Sequence, residues 1–346
     1  MRFREELILR CAAARREKIG QMSDAAYNEL LLTVRESPDS FVERDDEKAF
    51  AALGRAVGRF EDSVRDDDLL DDDEYVAERA RRFSALAQAC DKALVIDPDC
   101  LDARLMRALA TQEEPDGLLA ELRALEAECG GNEVARGGAA GGGAASSGDS
   151  CGGAGSGMKP FEELSWANVF DRPRMRLRAA VARACGDGAR WKGARDAAES
   201  LLAISEKDGD PLGARYTAAL AYARLEDEEG LNTLDARFSQ GNTWGNLARC
   251  LLLYKLDRLP AARRALRGYA SLCEGAAYAL LRPIFVETYL PDRPDYAPGS
   301  FEEALCAVHE AEVIIADTPD FVAWCEGQDW FRAEGEAFAQ ARDLDW

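Results

Sequence analysis

Apolar residues recur along this chain at intervals of three and four, the spacing of helices that bury one face. The stretch from Asp210 to Cys273 shows it best. Tyr216, Ala219, Leu220 and Ala223 form one stripe, Glu226 and Asp227 interrupt it, and Leu231, Leu234 and Phe238 form a returning stripe. The pattern then repeats with Trp244, Leu247, Leu251 and Tyr254, a turn at Asp257 and Arg258, and a helix carrying Ala262, Leu266 and Tyr269. Pro260 falls in the first turn of that last helix, where a missing amide donor has no helical partner to lose. Each helix is apolar on one stripe only, so each needs a neighbour to cover it.

Two hairpins follow one another with nothing between them. Their turns, at 226 and 257, are 31 positions apart. That is close to the 34 residues of a tetratricopeptide repeat and predicts an all-α, tetratricopeptide-like helical-repeat solenoid of helix-turn-helix hairpins. A looser copy lies upstream: Met175, Leu177, Val181 and Ala184, a turn near Gly186 to Gly188, then Trp191, Ala194, Ala198, Leu201 and Leu202. Further back, Ala93, Leu94 and Pro98 match the end of such a repeat, and Asp99 to Ala103 the start of the next, so a repeat is expected near 76–110.

The remaining stretches set the domain plan. Residues 1–129 read as an acidic helical lobe. Its stripes are Leu7, Ile8, Cys11 and Ala14, then Tyr27, Leu30, Leu31 and Val34 after a cap at Ser23 or Asp24, then Phe50, Leu53, Val57 and Phe60. Residues 130–157 are nearly all glycine, alanine and serine, too poor in apolar surface to offset their ordering entropy, and predict a disordered linker. They lack the G-K-[ST] and the preceding strand of a phosphate-binding loop. A second lobe, 158–346, carries the hairpins. Beyond Gly275 a short helix is stopped by Pro283, an extended crossing follows at 290–300, and Ser300 with Glu303 predicts a capping box. The aromatic segment from Phe321 onward is expected to cap the open end of the repeats.

Charge narrows the partners. A net charge of -21 and an isoelectric point near 4.6 oppose nucleic-acid binding, which is driven by cations, and favour basic or neutral protein partners. The ten cysteines contain no C-x-x-C pair and read as reduced thiols. With no secretory signal and no long apolar run, a cytoplasmic location without a membrane partner is expected. The acidic run at 66–75 lacks the glycine and distal glutamate of a calcium loop, and reads as a loop that caps the following helix. The one histidine, His309, has only Cys306 at ligand spacing and no nucleophile beside it, so no catalytic, metal or cofactor-binding residue is assigned and no cofactor is expected.

RPRM at 172–175 followed by Arg176, WGNLARCLLLYKL at 244–256, SFEEA at 300–304 and TPDFVAWC at 318–325 resemble a bacterial family of tetratricopeptide-repeat proteins related to the suppressor of tumorigenicity 7 proteins. The resemblance spans 161 to about 327. It implies the fold and carries no activity over.

The expected function is a non-catalytic scaffold that binds a peptide or protein segment in the concave repeat surface. Arg172, Arg176, Arg215, Tyr216, Trp244 and Arg249 are the candidate groove residues, because arginine on an inner helix holds a carboxylate bidentately. The same arginines have a second role open to them, pairing with the chain's own abundant carboxylates. A peptide-sensing regulator is the alternative function, and a hydrolase a further one.

Overall fold

The computed structural model describes residues 3–64, 70–112, 114–130, 159–239, 241–284, 286 and 289–346. Among them it is all-helical, with sixteen α-helices and no strand. They form two compact units, one drawn from Arg2–Thr111 and Ala120–Leu177 and the other from Gln112–Leu119 and Arg178–Trp346. Apart from Gly130, the glycine-rich stretch lies outside the described residues. The boundary between the units passes through two helices, after Leu119 and after Leu177.

The first unit contains α1 (Phe3–Ile19), α2 (Asp24–Glu36), α3 (Asp45–Val64), α4 (Asp72–Ile96), α5 (Leu101–Thr111) and most of α6 (Pro115–Gly130). α1 packs on α2 and α3, and α4 packs on α3 and α5. The Ser23 hydroxyl accepts the Ala26 amide at 3.2 Å and caps α2. Asp71 and Glu74 form a full capping box, so α4 begins three residues earlier than the Tyr75 its apolar stripe suggests. Asp66 to Leu69 of the acidic run lie outside the described residues. α4 stops at Ile96 because the residue before Pro98 is pushed out of the helical region.

The second unit holds α7 (Arg172–Asp187) from Arg178 onward, then α8 (Trp191–Ser205), α9 (Ala214–Leu225), α10 (Glu228–Arg237), α11 (Thr243–Lys255) and α12 (Leu259–Leu272). Three of its turns share one geometry. Ala189, Glu226 and Asp257 all have φ between 56° and 58°. The next residue's amide, at Arg190, Asp227 and Arg258, returns to the carbonyl five positions back at Cys185, Tyr222 and Leu253. This is the Schellman closure of a helix end, built each time on a non-glycine residue in the left-handed region. Seven positions before the turn stand Ala182, Ala219 and Cys250, and five after it Ala194, Leu231 and Ala262, none more than 2% exposed. The matching buried positions are the structural form of the sequence period, a helical-repeat pattern.

α9 is packed by α8, α10, α11 and α14 (Phe301–Ala316). Ala214, Ala218, Ala219, Ala221 and Ala223 let four neighbours approach it. α14 also packs against α11 and α13 (Ala276–Leu281), so this chain segment itself covers part of the α9 and α11 faces. Ser300 caps α14 by accepting the Glu303 amide at 3.2 Å, but the reciprocal half of the expected box goes elsewhere. The Ser300 amide is already bonded to the Ala297 carbonyl, so the Glu303 carboxylate takes the Gly299 amide at 2.6 Å. At the C-terminus α15 (Phe321–Glu326) and α16 (Asp329–Arg342) pack on α13, where Tyr278 meets Phe301, Phe338 and Trp346. No helix among the described residues is long and apolar enough to cross a membrane.

Candidate functional site

The six candidate arginine and aromatic positions separate into two places. Arg172 and Arg176 belong to the first unit, and Arg215, Tyr216, Trp244 and Arg249 to the second.

Arg176 presents nothing to a ligand. Its side chain is fully buried and its guanidinium grips two carboxylates at once, Glu6 at 2.9 and 3.0 Å and Asp102 at 2.8 and 2.9 Å. Arg10 joins the same network with bonds of 2.9 Å to both acids. Burial alone would raise the Glu6 pKa, yet Arg176 and Arg10 outweigh it and hold the carboxyl below its usual range. Arg172 stands at the edge, its Nε on the Trp166 carbonyl at 2.8 Å and its Nη1 3.6 Å from Glu6. These two arginines therefore leave the groove assignment. An arginine among apolar neighbours can face inward when buried acids await it, and no local pattern marks that.

Of the other four, Arg215, Tyr216 and Trp244 gather at the starts of α9 and α11, whereas Arg249 lies in the middle of α11. Asp210 accepts the Ala214 and Arg215 amides at 2.9 Å and so fixes the first turn of α9, while burial raises its carboxyl pKa. Asn242 caps α11 through the Gly245 amide at 2.7 Å. Those two caps bring the rings of Tyr216 and Trp244 face to face, centroids 4.1 Å apart and 15° from parallel. Gly213, at φ 63°, runs beneath Tyr216; a β-carbon there would come within 2.7 Å of the ring.

The Arg215 guanidinium lies 4.9 Å from the Tyr216 ring centroid and 5.1 Å from that of Phe238, and bonds the Tyr216 hydroxyl at 2.9 Å. Two buried donors in this cluster, Nε of Arg215 and Nε1 of Trp244, have no acceptor in the structure. Arg249 is committed to Asp235 through its Nε at 3.1 Å. Behind the cluster Arg293 uses all its donors: two bonds to Glu310 at 2.6 and 2.8 Å, one each to the Leu212 and Gly213 carbonyls, and one to Thr217. Phe238 and Arg293 were not among the sequence candidates. Phe238 closes the α10 stripe and reads as ordinary core, and Arg293 sits in the proline-rich crossing, where no periodicity speaks.

The remaining chemistry is quiet. The nine described cysteines are free thiols and eight of them are buried; burial pushes Cys11, Cys90 and Cys306 up to about 12 and Cys100 and Cys273 up to about 11, away from thiolate reactivity. His309 packs edge-on against Tyr289 and lies 3.9 Å from Glu312. No three metal-ligating side chains converge among the described residues. Compared with protein-family models, with curated proteins and with solved structures, the chain matches none.

Proposed function

We propose that the chain is a non-catalytic, tetratricopeptide-like scaffold that binds a peptide or protein segment against Arg215, Tyr216, Phe238 and Trp244. The repeat part of this reading rests on the three turns that share a left-handed residue and a closing hydrogen bond. Their buried small residue in the first helix, with Cys185, Tyr222 or Leu253 three positions on, follows the G-x2-Y spacing of that motif. It also takes the chain as a relative of the bacterial family that residues 161–327 resemble.

The observation that carries the binding surface is the pair of unsatisfied buried donors, on Arg215 and Trp244, in a cluster otherwise made of tyrosine and phenylalanine rings. A buried donor without an acceptor costs roughly 1–3 kcal/mol; a partner that displaces the half-buried Arg215 side chain and supplies a carbonyl or carboxylate would recover it. Arginine, tyrosine and tryptophan are also the residues that dominate binding energy at interfaces. The surface is narrower than the whole inner face of the repeats, because α14 covers part of α9 and α11.

The test is affinity capture with the tagged full chain from its own cell extract, in parallel with an Arg215→Ala/Phe238→Ala variant whose helicity is checked by circular dichroism. A specific partner recovered by the parent and reduced at least tenfold in the variant is the expected result. The same partner held undiminished by a folded variant sinks the assignment of this surface.

A further inference from the structure

A second surface lies at the turn ends of the helices, where the α11–α12 turn faces the α14–α15 turn. It is an open groove of about 390 Å³. Its floor is aromatic: the Tyr254 and Trp324 rings stand 5.1 Å apart, tilted by 47°, with Leu259 partly exposed beside them. Its rim is acidic, with Glu226, Asp257 and Asp317 all lining it.

The charges present on the rim do not cancel. The one lysine, Lys255, is spent inside the protein, donating to the Arg224 carbonyl at 2.9 Å and pairing with Glu226 at 3.2 Å. Arg224 pairs with Asp317 at 2.8 Å. Asp257, held at φ 56° in its turn, is left over; Asp320, at φ 60°, lies outside the lining but near Tyr254, whose phenol pKa burial and then Asp320 push up. Two aromatic faces beneath surplus carboxylates form a site complementary to a cation with a flat, weakly hydrated face, which is the description of a guanidinium.

The geometry points to this cleft as the docking site for an arginine side chain of a basic peptide segment in a partner protein. The guanidinium lies on the Tyr254 and Trp324 rings and its N–H groups donate to Asp257. The inference deepens the scaffold reading by naming a partner chemistry, and it uses residues distinct from the Arg215 cluster.

The probe is a fluorescein-labelled peptide of alternating glycine and arginine, titrated with the full chain and followed by anisotropy at ~0.15 M salt. Asp257→Asn removes the charge while keeping a residue that tolerates the left-handed turn. Asp39→Asn, an exposed acid in the first unit, makes the same change in net charge elsewhere. Saturable binding is expected, weakened at least tenfold by Asp257→Asn and by Trp324→Leu, unchanged by Asp39→Asn, and absent for the same peptide made with citrulline in place of arginine. Equal weakening by both aspartate variants would mean attraction to the overall negative field, and would overturn the site, as would absence of saturable binding. Either failure leaves the Arg215 cluster standing or falling on its own capture experiment.

Discussion

Arg176 is among the largest fully buried side chains of the described residues. Arg176 is buried against Glu6 and Asp102, which stand 170 and 74 positions away in the chain. Helical spacing describes one helix at a time, so it cannot bring such residues together. Removing one member of a buried ion network is strongly destabilising, because its partners stay buried without full compensation. Arg10 still reaches both acids, so Arg176→Leu is expected at the lower end of that effect, a loss of about 3 kcal/mol in urea denaturation. A loss under about 1 kcal/mol would show that Arg10 alone suffices. The pH dependence has a definite sign. The folded Glu6 pKa lies below its ordinary value of 4.5, so on acidification the unfolded chain takes up the proton first. Its contribution is complete above about pH 4.5 and is lost as the pH falls from there through the folded value. The parent protein should therefore lose stability below that point more steeply than Glu6→Gln, which has no such proton to bind.

Helix ends divide into those legible from sequence and those hidden from it. The turns at Glu226–Asp227 and Asp257–Arg258 are where the polar interruptions put them, and the stops before Pro98 and Pro283 follow from proline's own geometry. The upstream turn is different: glycines at 186 and 188 attract attention, yet the left-handed residue is Ala189 between Gly188 and Arg190. Glycine usually fills this position, and here all three turns do without it. An ordinary side chain in the left-handed region costs roughly 1–2 kcal/mol, while glycine loses about 0.4–1 kcal/mol through its freer unfolded state. The balance predicts that Ala189→Gly and Glu226→Gly each raise stability by about 0.5–1 kcal/mol in chemical denaturation. Asp257→Gly should gain less, since aspartate tolerates this conformation better. Destabilisation by Ala189→Gly would mean that its methyl group makes contacts worth more than the strain.

At the scale of the whole chain, the charge imbalance was readable at once and the pairing of charges was not. There are 64 acidic and 43 basic side chains, and most described arginines are already engaged with a carboxylate or carbonyl. Salt then acts in two opposed ways. It weakens exposed pairs such as Arg107–Asp91 and Arg258–Glu228, and it screens repulsion among the surplus carboxylates. Magnitudes decide between them. Exposed pairs contribute about 0–1 kcal/mol each and many contribute nothing, while the Glu6–Arg10–Asp102–Arg176 network is shielded from ions by burial. The repulsion is long-ranged: at ~0.01 M salt the screening length is ~30 Å, so each unpaired acid feels many others, and at ~0.15 M it falls to ~8 Å. Raising sodium chloride over that range should therefore raise the thermal unfolding midpoint, monitored by circular dichroism at neutral pH. A falling midpoint would mean that the surface pairs act as connected networks rather than as isolated contacts, and would shift the account of this protein's stability from its core and buried ion cluster to its surface.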